Sequence, residues 1–242
     1  MKLFGACATD VGCRRKVNQD SIIFLSDNIN GRIISVVAVC DGVGGLESGE
    51  IASAIVIRGV RKWFDGVMEW LDESLFEPEL LFSHLKDAAE AWNEEVFDYK
   101  VVNSVEMGTT MSILLIADTS YYVLQVGDSR VYSYFGNELR QLTVDASVTR
   151  IKGEVTKQYL SNYMGMKAEL DFTEAYGNIE PEMLFVVCSD GFYHNLLPED
   201  LDFKQGVRKN EKKLEAKCTE LIGEMIKRGE TDNISVAFAA VY

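Results

Sequence analysis

The chain has 242 residues, with 24 Lys and Arg against 38 Asp and Glu, a formal net charge of -14 and 47% hydrophobic residues. This is the composition of a soluble globular protein, long enough to bury roughly 70% of its unfolded surface without disulfides or a structural metal. The negative balance argues against nucleic acid and anionic membranes as partners, because phosphate is held by clustered Lys and Arg.

No Ser/Gly/Pro-rich or low-complexity stretch divides the chain, and its three prolines are scattered at Pro78, Pro181 and Pro198, so one domain over residues 1–242 is expected. Five cysteines is an odd number, and Cys40, Cys188 and Cys218 lie in apolar segments, as free thiols do. A reducing, cytoplasmic setting is the expectation. Lys2 and the Gly5–Cys7 tripeptide hint at a lipoprotein leader, but the apolar stretch between them is shorter than the ~7–15 residues of a secretory signal. The longest apolar run, Ile33 to Cys40, is under half the ~20 residues a membrane helix needs.

Taken in chain order, segments rich in β-branched residues predict strands at 2–9, 21–26 and 32–40. Ile51, Ala54, Ile55 and Arg58 then open a helix, and Ser83 is placed to cap a second one carrying Leu85, Ala88, Ala89, Trp92 and Val96. Further strands are expected at 110–117, 121–126, 131–135, 139–142, 172–175 and 183–188. Asp118-Thr119-Ser120 and Gly136-Asn137 read as tight turns, hence antiparallel hairpins. Asn210 is placed to cap a helix with the stripe Leu214, Cys218, Leu221, Ile222 and Met225, which Gly229 ends. The last strand, 234–241, is apolar on both faces and should be central. The sum is an α+β fold: a four-layer α-β-β-α sandwich of two stacked antiparallel β-sheets flanked by helices.

Asp20, Asp41, Asp128, Asp190 and Asp232 each fall at an end of a predicted strand, four of them in turn-forming sequences. Any one such Asp is ordinary punctuation. Five are more than that, because converging carboxylates repel unless a cation neutralises them, and aspartate oxygen suits hard ions such as Mg²⁺ or Mn²⁺. No loop has the alternating ligands and terminal Glu of an EF-hand, and His84 and His194 are the only histidines, so Ca²⁺ and Zn²⁺ fit less well.

The segments Gly12-x-x-Arg15-x-x-Asn18-Gln19-Asp20-Ser21, Asp41-Gly42-Val43-Gly44-Gly45, Gly108-Thr109-Thr110, Gly127-Asp128-Ser129-Arg130, Leu142-Thr143-x-Asp145, Ser189-Asp190-Gly191 and Asp232-Asn233 resemble, in order and spacing, the motifs of metal-dependent type 2C serine/threonine protein phosphatases of the bacterial single-domain type. The resemblance spans nearly the whole chain. It implies two Mn²⁺ or Mg²⁺ ions bridged by Asp41, the Gly42 carbonyl on one of them, and Asp190 with Asp232 on the other. Asp128, with Asp190, matches positions holding a third, weaker ion, and Asp20 is taken as a ligand or as the holder of a metal-bound water. Two such ions can share a water and lower its pKa towards neutrality, so that no protein nucleophile and no covalent intermediate is needed. Arg15 would clamp the phosphate oxygens with its planar fork. Phosphorylated proteins are then the substrates, a cognate Ser/Thr kinase the opposing partner, and a monomer the default.

The chain departs from the family pattern at three places: Gln19 stands where many members carry an acid, Val43 where animal members carry His, and Ala146 where bacterial members carry His. A flap-like insertion is expected at about 146–170, with Arg150, Lys152, Lys157 and Lys167 as a local basic surplus, and His194 is assigned to structure. A cysteine-nucleophile phosphatase is ruled out because no Cys is followed six positions on by Arg, and no Walker-type loop is present. Two other readings remain: a catalytically silent phosphoprotein-binding domain of the same fold, against which the retained Asp41, Gly42, Asp190 and Asp232 speak, and a two-metal nuclease, which the acidic surface disfavours.

Overall fold

Along the strand Arg32–Cys40, the residues from Ile33 onward are all buried, and they alternate between two cores. Ile34, Val36, Ala38 and Cys40 pack with helical residues, whereas Val37 and Val39 pack against another sheet. Successive side chains of a strand point to opposite faces, so a strand that is apolar at both parities must be covered on both sides. The strand Ile234–Val241 behaves likewise: Ile234, Val236, Phe238 and Ala240 face one core, and Ala237, Ala239 and Val241 face the other.

The computed structural model describes residues 1–29, 31–43, 46, 48–71, 76–152, 155–167 and 169–242, and is built accordingly. Strands β1 (Leu3–Asp10), β2 (Ser21–Ile29) and β3 (Arg32–Cys40) precede helices α1 (Gly49–Trp70) and α2 (Pro78–Asn103). Strands β4 (Met111–Ala117), β5 (Ser120–Val126), β6 (Arg130–Phe135), β7 (Glu138–Gln141), β8 (Ser147–Lys152), β9 (Val155–Leu160), β10 (Thr173–Asn178) and β11 (Leu184–Cys188) follow. Short helices α3 (Asp190–Tyr193) and α4 (Gln205–Arg208), the long α5 (Glu211–Lys227) and β12 (Ile234–Val241) complete the order. One antiparallel sheet runs β1-β12-β11-β6-β7 and the other β10-β5-β4-β3-β2. The sheets face each other across an apolar layer, with α1 and α2 outside the second sheet and α5 outside the first. The expected α+β sandwich is what the chain adopts, and β12 lies inside its sheet between β1 and β11.

Local signals explain the boundaries. The Asn210 side chain accepts a hydrogen bond from the Lys213 amide at 3.0 Å, capping α5 as its sequence implies. Gly136 and Asn137 both take positive φ, the pairing that a two-residue turn between right-twisted strands needs. Ser83, by contrast, caps nothing: α2 begins at Pro78, whose fixed φ suits a first helical turn, and Ser83 lies inside the helix. The α1 stripe also sits differently. Ala54 and Arg58 are exposed, and the buried face is Ala52, Ile55, Val56, Val60, Trp63, Phe64 and Val67. Within the expected insertion, β8 and β9 pair only with each other, as a hairpin apart from both sheets. Gly44, Gly45 and the side chains of Arg150, Lys152 and Lys157 lie outside the described residues. Among the described residues no helix is long and apolar enough to cross a membrane.

Candidate active site

Antiparallel pairing brings the aspartates together. The register sets Ser21 opposite Cys40, so Asp20, just before β2, and Asp41, just after β3, leave the second sheet at the same end. In the first sheet Cys188 pairs with both Val236 and Arg130, which puts the end of β11 beside the starts of β12 and β6. Asp190, Asp232 and Asp128 therefore emerge from that end as well. Asp41, Asp128, Asp190 and Asp232 line one pocket of about 520 Å³ together with Arg15, Gln19, Gly42, Val43, Tyr163, Met166, Tyr193 and His194. Asp20 lies buried beneath them, close enough for its charge to act on Asp41.

Buried hydroxyls brace these strand ends from one sheet to the other. The Asp41 amide donates to Thr110 Oγ1 at 2.9 Å, and Thr109 Oγ1 donates to the Asp41 carbonyl at 2.9 Å. Thr110 Oγ1 meets Ser129 Oγ at 2.7 Å, and Ser112 Oγ donates to the Ser129 carbonyl at 2.6 Å, linking β4 to the approach of β6 in the opposite sheet. On the other flank Ser189 Oγ donates to Asp20 Oδ2 at 2.8 Å and accepts from the Ser235 amide at 3.0 Å. Asn233, almost fully buried, accepts from the Gln19 amide at 2.9 Å and donates to the carbonyls of Val11 and Val17, pinning the loop that carries Arg15.

Two glycines are demanded by the close approach of backbones here. Gly42 packs against Gly49, where an added Cβ would stand 2.6 Å from the Gly49 carbonyl carbon. Gly12 has φ +73° and lies against the Asp232 carbonyl, where a side chain would collide.

The electrostatics are unfavourable for the protein alone. Burial pushes the Asp41 carboxyl well above the ordinary range, and repulsion from Asp20, Asp190, Asp128 and Asp232 adds to it. Burial likewise pushes Asp20 and Asp128 up to about 6, and raises Asp190. Asp20 Oδ1 is buried without a hydrogen-bond partner. A set of crowded, desolvated, oxygen-only donors with an orphaned carboxylate oxygen fits hard divalent cations, which would remove the repulsion. Among the described residues no three such groups already converge at metal-holding geometry. Asp232 is engaged with the protein itself: its Oδ2 pairs with Arg15 Nη2 at 2.6 Å, and its Oδ1 accepts from the Asn233 amide at 2.8 Å.

The family model described as Protein phosphatase 2C matches residues 13–232. The chain belongs to the protein phosphatase 2C family. It is 28% identical to the serine/threonine phosphatase stp of Listeria welshimeri over 94% of this chain and 92% of that one. The serine/threonine phosphatase of S. agalactiae superposes with a TM-score of 0.80 at 25% identity, covering 100% of both chains. The catalytic domain of PstP, solved in complex with two manganese ions, superposes with a TM-score of 0.74 at 24% identity over 99% of each.

In this phosphatase 2C chain Arg15, rather than Arg14, lines the pocket. His194, read from sequence as structural, lines it too; its Nδ1 stands 3.7 Å from Glu230 Oε2 and its ring packs edge-on against Tyr193. Several supporting residues carried no assigned role in the sequence reading. Asp145 grips Arg130 through both carboxylate oxygens, at 2.6 and 3.0 Å, and the Arg130 guanidinium lies 3.6 Å over the Tyr193 ring, fixing the pocket wall beside Asp128. Arg130 and Asp145 lie within motifs shared with the family, as do Thr110 and Ser129. Thr9 and Ser235, whose hydroxyls meet at 2.7 Å across β1 and β12, lie in none, and only the strand register reveals them. Cys40 and Cys188 are fully buried, and burial pushes both thiols up, which disarms them as nucleophiles.

Proposed function

We propose that Asp41, the Gly42 carbonyl, Asp190 and Asp232 hold two divalent cations, that Asp128 with Asp190 takes a third, weaker one, and that Asp20, beneath Asp41, is a further ligand or holds a metal-bound water. The chain is a metal-dependent serine/threonine protein phosphatase. The net reaction is RO–PO₃²⁻ + H₂O → ROH + HPO₄²⁻, in which the P–O bond to the seryl or threonyl oxygen breaks and a proton returns to that oxygen. Bound Mn²⁺ or Mg²⁺ would supply Lewis-acid activation of the phosphoryl group and of the attacking water. The protein's own contribution is orientation. Arg15, exposed at the rim and anchored by its loop to Asn233, presents a planar fork that can take two phosphate oxygens. Its present partner, Asp232, is itself one of the proposed metal ligands, so cation binding at Asp232 would compete for the contact that occupies Arg15. Because the substrates are phosphate monoesters of proteins, a Ser/Thr kinase must produce them.

The observation that carries this reading is the gathering of four carboxylates and Arg15 around one pocket at a single end of the sandwich. The test is hydrolysis of p-nitrophenyl phosphate and of a phosphothreonine peptide with Mn²⁺, Mg²⁺ or EDTA, beside Asp41→Asn. Turnover of both substrates that needs the metal and is lost in the variant is expected; its absence would leave the silent phosphoprotein-binding domain standing.

A further inference from the structure

The buried face of α2 is Leu81, Phe82, Leu85, Ala89, Trp92, Asn93 and Val96, all apolar except Asn93. Asn93 is 1% exposed, and a buried amide is costly unless its donors and acceptors are used. Both ends of this one are. Its Oδ1 accepts from the Gly165 amide at 2.8 Å, and its Nδ2 donates to the Lys167 carbonyl at 3.0 Å. The side chain thus stands in for a strand neighbour and reads the backbone of a segment 72 residues away. Gly165 has φ +83°, and an added Cβ would lie 2.5 Å from Val96 Cγ1, so the segment is pressed onto the helix one turn beyond Asn93. Next to it Met164 is fully buried and exchanges backbone hydrogen bonds with Thr109 at 2.9 and 3.3 Å. Thr109 is the residue whose hydroxyl holds the Asp41 carbonyl.

The two side chains flanking this anchored pair, Tyr163 and Met166, both line the pocket. The Tyr163 ring packs on the backbone of Gly108, where a Cβ would come within 2.5 Å of it, and Met166 is 41% exposed. They form an apolar wall in the same pocket as the carboxylate floor. On an otherwise apolar helix face, the amide at position 93 meets the backbone of the segment that carries the wall.

We propose that Asn93 is a positioning residue that sets this wall, and that the wall carries the polypeptide part of the substrate and so favours phosphoproteins over small monoesters. The inference rests on the phosphatase reading above and adds to it the device that separates two substrate classes. The variant Asn93→Leu keeps the face of α2 apolar and removes the hydrogen bonds to Gly165 and Lys167. With saturating Mn²⁺, its KM for a phosphothreonine peptide should rise roughly fivefold or more, while kcat on that peptide and kcat/KM for p-nitrophenyl phosphate stay within about twofold. Amide exchange at Gly165 should speed up about tenfold or more, because its partner is gone. Asn93→Ala serves for the same readings if the leucine does not fold. An unchanged peptide KM, or equal losses on both substrates, would overturn the proposal and leave Asn93 a purely structural residue. Failure of the unaltered chain to turn over p-nitrophenyl phosphate with Mn²⁺ would instead bring down the phosphatase reading, and this proposal with it.

Discussion

The floor of the pocket is made of carboxylates on strand ends, braced by hydroxyls from both sheets. Its side wall is made of Tyr163 and Met166 on an irregular segment, braced by one amide of α2. The floor is fixed by backbone register, and its geometry cannot shift without re-registering a sheet. The wall is held by the Met164–Thr109 backbone bridge and by one side chain, Asn93, whose contribution a single substitution can remove. The floor also concentrates charge against its own electrostatics, whereas the wall has no such cost. Chemistry and substrate choice are thereby placed on parts of the fold with different tolerance to change.

The largest expected effect breaks the floor. Asp41→Asn removes the carboxylate on which the charges of the other four all act, and kcat/KM with Mn²⁺ should fall by ~10² or more, on p-nitrophenyl phosphate and phosphopeptide alike. The same change should raise the melting temperature measured in EDTA, because a buried, repelled carboxylate becomes a neutral amide. An equal loss of activity and of metal-free stability would show that Asp41 is merely structural.

Arg15 sits at the rim of the floor, against Asp232, and Arg15→Ala should cost about tenfold or more in kcat/KM, chiefly through KM. It should also tighten Mn²⁺ binding in calorimetry, since Asp232 loses the partner held at 2.6 Å. Arg14→Ala removes the same formal charge from the neighbouring position and isolates the effect of the contact. Matching changes in both variants would reduce it to general electrostatics.

A smaller effect tests the bracing. Ser189→Ala deletes the hydroxyl that links Asp20 to the Ser235 amide, and Mn²⁺ affinity should weaken by about tenfold, the low end for a group that orients a ligand. Peptide KM at saturating metal should not change, which distinguishes a floor lesion from a wall lesion.

The same contrast governs how much could be read from the chain itself. Strands buried at both parities announced the sandwich, and the β-branched runs located all ten strands of the two sheets to within a few residues. The floor was legible because an Asp in a turn at a strand end leaves a short local signature, repeated five times. Its bracing was only half legible: Thr110 and Ser129 lie within motifs shared with the family, but the Thr9 and Ser235 hydroxyls, 2.7 Å apart, are joined only by the pairing of β1 with β12. The wall left no signature. Asn93 looks like any polar residue on an amphipathic helix, and the β8–β9 hairpin has mixed polarity and neither sheet to bury it. Ser83 misled because a capping residue type outside its backbone context carries little weight against Pro78, which sets the first turn by its ring.

The smallest expected effect concerns pH, and it separates the floor's intrinsic instability from its function. Asp20 and Asp128 are raised from an ordinary 3.8 to about 6, so between those values the native chain without metal binds more protons than the unfolded chain. Stability must then fall as pH rises through that window. In EDTA the melting temperature should drop by a few degrees between about pH 4 and pH 7, on the scale of ~2–4 °C per kcal/mol for a chain of this size. Saturating Mn²⁺ should flatten or reverse the trend, since cation binding favours the ionised carboxylates and is itself linked to folding. Asp20→Asn should weaken the drop in EDTA, whereas Asn93→Leu, a lesion of the wall, should leave its slope unchanged. A metal-free melting temperature that instead rises across the window would mean the five carboxylates are not crowded as the register of the two sheets requires.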